Sequence, residues 1–193
     1  MPTPPRQVND IASLRALAHP VRVSLIEALA VHGSLTATQA SDLVGESPSN
    51  CSFHLRQLAR FGLIEQAEPV GRERPWQIAA GGISVDTDAM VDAEFSAAAA
   101  AVNEMWIARQ AAAETDWVRR SGHEDRSWQL AAFSEFTVRW LTVEELAELQ
   151  REVDQLVRRY GERRDPATRP PGARPIRMNV SGFPVGPPTD QEG

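Results

Sequence analysis

The chain has 193 residues, of which 42% are hydrophobic and 24% charged, with a net charge of −6. That length holds one medium domain or two small ones. No apolar run approaches the roughly 20 residues a membrane helix needs, Met1-Pro-Thr-Pro-Pro-Arg6 lacks the apolar core of a signal peptide, and the lone Cys51 excludes an intramolecular disulfide, so a reducing, cytoplasmic setting is expected.

Residues 1–9 are Pro-rich and polar and read as a loose arm, with 1–7 a flexible terminus. Asn9 or Asp10 can cap a first helix carrying Ile11, Leu14 and Leu17 on one face. Pro20 interrupts and restarts the helix. Val21, Leu25, Ile26 and Leu29 then form a second amphipathic run, stopped at His32-Gly33. Leu35-Thr36 opens a short third helix with Ala40, Leu43 and Val44 inward, and Gly45 ends it.

Ser47-Pro48 is a strong start signal, a cap followed by proline at the first helical position. The fourth helix is expected over 48–61, with Gly62 as its stop. At 100° per residue Cys51, Leu55 and Leu58 share one face. Ser49, Ser52, Phe53, Arg56 and Arg60 fall opposite, Asn50 and Gln57 lie on one shoulder, and His54 lies at the core boundary. Leu63-Ile-Glu65 starts a strand, Gly71-Arg-Glu-Arg74 makes a turn and Trp76-Gln-Ile78 returns. A helix able to enter a major groove beside a hairpin tipped with Arg72 and Arg74 is the layout of a winged helix-turn-helix, and it makes double-stranded DNA the leading expected partner.

Every one of the 20 basic residues is arginine, a bias that genome composition explains most simply. The −6 charge is unevenly spread. Residues 1–80 hold seven Arg and seven Asp or Glu, whereas 81–193 hold 13 Arg and 19 acids. Local sign, not total charge, governs attraction to phosphate.

Gly81-Gly82 reads as a hinge. A helix over about 86–118 follows, with Val91, Phe95, Ala98, Val102 and Met105 on a stripe and Trp106, Ala113 and Trp117 beside it. Residues 119–127 form a polar connection. Phe136, Val138 and Trp140 alternate with Thr137 and Arg139, so 133–141 reads as a strand. Thr142 with Glu145 is a capping-box pattern. The helix after it carries Leu146, Leu149, Val153, Leu156 and Tyr160 in an a/d-type repeat. A Pro/Arg-rich linker covers 165–175, and Ile176, Met178 and Val180 suggest a last strand before a flexible end at 186–193.

Three segments resemble the ArsR-type winged-helix repressors: Leu14–Leu29 with its Leu-Ala-His-Pro-Val-Arg join, Ser47–Leu58 with its Ser-Phe-His-Leu, and Gly71–Ile78 at the wing. The resemblance spans roughly residues 10–80. It implies that Ser47, Ser49, Ser52, Phe53 and His54 approach bases and phosphates and that Arg72 and Arg74 lie on the wing. Phe53 departs from the usual polar residue, though a Phe can meet a thymine methyl. The metal-sensing members carry Cys-x-Cys near the third helix; here that helix reads Ala37-Thr-Gln-Ala-Ser-Asp-Leu-Val44, so no metal or cofactor is expected. His19, His32 and His123 are far apart in sequence, and His123-Glu-Asp125 is a poor cage. No catalytic motif occurs, so an enzyme is not expected.

Cys51, on the core side, reads as a small buried apolar residue. Arg56, Gln57 and Arg60 serve either DNA contact or a soluble helix face. His54 is divided between a backbone-bonded buried histidine and a phosphate donor. Trp106, Trp117, Trp128 and Trp140 are either core and dimer packing or the lining of a pocket for a small apolar effector.

The fold expected is mainly α with a small β wing: a winged helix-turn-helix over 8–80 and a C-terminal helical dimerisation region over 83–185 with two short strands. Val91, Phe95, Val102, Met105, Trp106, Leu146, Leu149, Val153 and Leu156 are the expected dimerisation residues, their stripes being too long to bury within so small a region. The implied function is a homodimeric transcriptional repressor reading a palindromic site. The overall acidity keeps open a winged-helix protein-interaction module without DNA contact.

Overall fold

Capping chemistry sets the first four helices. In this computed structural model, which describes residues 6–69, 71–79, 83–85, 92–164 and 168–186, α1 (Ile11–Leu17) begins at Asp10. The Asp10 carboxylate accepts from the Ser13 backbone N–H at 2.8 Å and from its hydroxyl at 2.6 Å. Those bonds hold its carboxyl below the ordinary value of 3.8. α2 (Pro20–His32) has proline at its start and a C-cap glycine, Gly33. α3 (Ala37–Val44) carries a full capping box between Thr36 and Gln39 and stops at Gly45, whose φ of +72° is left-handed and suits glycine. α4 (Pro48–Arg60) starts where the Ser47 hydroxyl accepts from the Asn50 N–H at 3.2 Å.

These helices turn Leu14, Leu17, Leu25, Ile26, Leu29, Ala40, Cys51, Leu55 and Leu58 into one core. A small antiparallel sheet closes it. β2 (Ser34–Leu35), β3 (Ile64–Gln66) and β4 (Trp76–Ile78) run in the order β2-β4-β3, with Leu35 opposite Trp76 and Glu65 opposite Gln77. Leu35 thus belongs to a strand rather than to the start of the third helix, which begins at Ala37.

The reading of residues 1–9 as a loose arm is corrected at 6–8, while 1–5 lie outside the described residues. β1 (Arg6–Val8) pairs in parallel with β5 (Ile83–Val85), Arg6 opposite Ile83 and Val8 opposite Val85, and Val8 is fully buried. A strand whose partner lies 77 positions away leaves no local signal in a Pro-rich stretch. Gly81-Gly82 and Val91 lie outside the described residues.

The chain divides into two compact units, Met1–Trp117 and Val118–Gly193. The first runs well past the expected limit at residue 80, because α5 (Ala93–Arg120) contributes Phe95, Ala99 and Val102 to the same core, with Trp106 packed against it. This corrects the assignment of Phe95 and Val102 to a dimer face: both are already buried inside one chain, at 3% and 4% exposure, and cannot meet a partner. Arg109 fastens α5 to α2. Its Nε donates to the Glu27 carboxylate at 3.0 Å, and its terminal nitrogen reaches that carboxylate and the Ser24 hydroxyl. Arg15 and Glu94 add an exposed ion pair at 3.2 Å, a contact that contributes little by itself.

In the second unit the expected polar connection at 119–127 is partly helical. α5 runs to Arg120, a 3₁₀ turn covers Ser121–His123 and α6 (Arg126–Ala131) follows. Glu124 gathers this region. It accepts from Arg174 at 2.7 and 3.0 Å, which, with a smaller effect of Arg120 at 2.7 Å, holds its carboxyl below the ordinary 4.5, and Arg174 also stacks 4.9 Å from the Trp128 ring centre. α7 (Val143–Arg158) begins at the capping box of Thr142 and Glu145 and is followed by a 3₁₀ turn at Gly161–Arg164. The two strands expected at 133–141 and 176–180 are corrected too: neither has a hydrogen-bonded neighbour among the described residues. Alternation fixes which side chains share a face, but a strand exists only where another strand accepts its ladder. No described residue of this unit is buried.

Candidate nucleic-acid interface

α4 shows how one helix serves two environments. Cys51, Leu55 and Leu58 are completely buried. A quarter-turn to a half-turn away, Ser49, Arg56 and Arg60 are exposed, and Phe53 keeps half its surface in solvent. Burial pushes the Cys51 thiol up, with Glu46 adding to the shift, so this cysteine is a packing residue.

The polar residues of this face are pre-arranged by one another. Arg56 donates to the Ser52 hydroxyl at 2.8 Å, one turn back. The Asn50 side-chain amide donates to the Glu46 carboxylate at 2.8 Å, which ties the shoulder of α4 to the turn before it. Ser47, exposed, is engaged as the cap; Gln57 is partly covered. Beside α4 the β3–β4 hairpin is closed by the Ala67 N–H donating to the Pro75 carbonyl at 2.9 Å and by Gln77 donating to Glu65 at 3.1 Å. Arg72 and Arg74 are exposed at its tip.

His54 departs from the expected set. It is 7% exposed and faces inward, so its role as a phosphate donor is corrected. Its ring lies 4.5 Å from that of His19, with Phe53 edge-on at 5.2 Å. The alternative of a backbone-bonded histidine also fails at one nitrogen: Nδ1 of His54, Nδ1 of His19 and Nε of Arg22 are all buried without a hydrogen-bond partner among the described residues. Burial, then His19 and Arg22, hold the His54 imidazole below its ordinary value of 6.5. Sequence alone does not reveal this pairing, because His19-Pro-Val-Arg22 stands out only as a motif and 35 positions separate the two histidines.

A pH dependence follows. A depressed pKa means that the unfolded chain binds the His54 proton more readily than the folded one. The contribution is intact above pH 6.5 and is lost as pH falls through the folded value. His54→Leu is expected to flatten the loss of thermal stability between about pH 7.5 and 5.5. Equal slopes for the two proteins would remove His54 from the account.

The four tryptophans are divided between the two units, Trp106 and Trp117 in the first and Trp128 and Trp140 in the second. Trp106 and Trp117 stand eleven residues apart on α5, about 16 Å at 1.5 Å per residue, and Trp140 is fully exposed. Trp140, so exposed, lines no pocket within its own unit. Among the described residues no group of three or more His, Cys, Asp or Glu is placed to hold a metal, and no helix is long and apolar enough to cross a membrane.

A helix pair, α3 and α4, that presents its second member beside a β hairpin is a winged helix-turn-helix. Residues 17–67, α2 through α4 and β3, match the family model of a helix-turn-helix domain. Among solved structures the chain is similar to reduced HlyU from Vibrio cholerae, at 20% identity over 43% of this chain and 79% of that one, with a TM-score of 0.33. It is similar to the homodimeric winged helix-turn-helix DNA-binding domain of Mb0332 from Mycobacterium bovis, described as a possible ArsR-family transcriptional regulator. There the identity is 20% over 53% and 76% of the two chains, with a TM-score of 0.34. Rv0081 of M. tuberculosis shares 22% identity over 55% and 88%, again with a TM-score of 0.34. No curated protein matches the chain.

Proposed function

We propose that this protein is a cytoplasmic, sequence-specific DNA-binding transcriptional regulator, a homodimeric repressor that reads a palindromic site. The observation that carries the reading is the division of α4: Cys51, Leu55 and Leu58 anchor it, while Ser49, Phe53, Arg56 and Arg60 face solvent beside the arginine-tipped hairpin. Residues 48–60 enter the major groove and Arg72 and Arg74 grip the backbone next to it. Two-fold symmetry places two such helices about one DNA turn apart.

Phosphate and base contacts separate in experiment. Arg74→Ala is expected to weaken binding to all sequences alike and to lower the salt slope by about one. Gln57→Ala, and Asn50→Ala beside it, are expected to change which bases are preferred, read by selection from random duplexes. An unchanged salt slope removes Arg74 from the contacts; an unchanged preference removes Gln57 and Asn50 from base reading. Selection on random duplex DNA at two salt concentrations tests the whole proposal. Enrichment of a palindrome, with affinity falling as salt rises, supports it. Absence of any salt-dependent binding favours the protein-interaction alternative that the −6 charge keeps open.

A further inference from the structure

We propose that α7 pairs with the α7 of a second copy in antiparallel orientation, and that this seam holds the dimer together; the inference rests on the dimeric reading above. Leu146, Leu149, Val153 and Leu156 recur at spacings of three and four along the helix, so they form one stripe. The described residues of the unit cover that stripe only in part: Leu146, which lies against Gly182, and Val153 are half-buried, whereas Leu149 is 46% and Leu156 52% exposed, and α7 has no fully buried residue. With Phe95 and Val102 consumed by the core of the first unit, α7 is the remaining stripe of the expected dimer surface.

Charge decides the occupant and its direction. The first ten residues of α7, from Val143 to Glu152, carry Glu144, Glu145, Glu148 and Glu152 against Arg151 alone. From Val153 to Tyr160 the chain carries Asp154 against Arg158 and Arg159. This asymmetry suits the helix's own dipole. It also makes the helix complementary to a reversed copy of itself: Glu145, Glu152 and Arg159 flank the stripe, and a parallel copy would set Glu145 beside Gln150 and Glu152 beside Val157, with no opposite-charge pair. In the reversed register Leu146 lies across from Leu156 and Leu149 from Val153, and Glu145 comes opposite Arg159 at both ends. Glu152 meets its own copy near the axis, the single like-charge contact of that register. The helix dipoles cancel rather than add.

Cysteine pairing in the full-length protein tests this, since the native Cys51 is buried and stays out of the chemistry. Two differently tagged proteins, Leu146→Cys and Leu156→Cys, are mixed, allowed to exchange and oxidised, and the products are read on a non-reducing gel. Circular dichroism of each variant confirms an unchanged helix content. The expected result is a mixed 146–156 disulfide with loss of the homotypic products. Residues 146 and 156 lie about 15 Å apart along one helix, so the two orientations give different bonds. Homotypic 146–146 disulfides overturn the antiparallel assignment. A dimer by sedimentation that yields no disulfide overturns the seam and leaves the dimer standing. A monomer before any substitution overturns the dimeric reading itself.

Discussion

Replacing Arg56, Arg60, Arg72 and Arg74 together with alanine is expected to abolish useful DNA binding while leaving the fold intact. All four are exposed, on the outer face of α4 and the tip of the hairpin. The substitutions break the 2.8 Å hydrogen bond from Arg56 to Ser52, a one-turn helix pair worth about 0.2–0.5 kcal/mol. Each phosphate neutralised contributes about 0.9 to the slope of log affinity against log salt. Four phosphates therefore contribute about 3.6, and at roughly 0.1 M salt removing the four arginines lowers affinity by more than three orders of magnitude. Titrations of wild type and variant across a salt series read both the slope and the intercept. A variant that keeps the wild-type slope would show that the protein meets DNA, if at all, through another surface.

Leu55→Ala is the second large effect, and it acts from the other side of the same helix. Leu55 is fully buried among Leu14, Leu25, Leu58 and their neighbours. Truncating a buried leucine removes its transfer energy and leaves a cavity, about 2–5 kcal/mol together. Against a total stability of about 5–15 kcal/mol this is a large fraction. Denaturant unfolding should show the midpoint falling, with DNA affinity following only at temperatures where the variant is partly unfolded. Phe53→Ala is the matched control: half its ring is already in water, so stability should hold while binding changes. A Leu55→Ala protein as stable as wild type would mean that α4 is not seated by its Cys/Leu face.

The helical part of the first unit is legible because its instructions are local. Asp10, Thr36 and Ser47 cap, Pro20 and Pro48 start, and Gly33 and Gly45 stop; each acts within one turn of itself. The candidate surface is equally legible, since the 100° repeat of α4 separates Leu55 from Arg56 without help from the rest of the fold. What escapes is long-range. β1 needs β5, Arg109 needs Glu27 and His54 needs His19, across separations that no window of periodicity spans. The stripe of α5 is visible, but a stripe states only that a face is apolar. That it meets the chain's own interior at Phe95 and Val102 rather than a second copy depends on where the helix is laid down. Likewise Phe136, Val138 and Trp140 alternate as a strand does, and among the described residues no neighbouring strand receives them.

The seating of α5 has a practical consequence. A fragment trimmed to the end of the hairpin at Ile78 would lack Phe95, Ala99 and Val102 and open their sockets to water, and it would deprive Arg6–Val8 of its neighbour. The smallest piece worth expressing for DNA work therefore extends beyond Arg109, through the point where α2 holds the long helix. Whatever bends that helix also presses on the shared hydrophobic interior behind Leu55 and Leu58. The first four helices and the start of α5 are a single mechanical part, cut from one block of side chains.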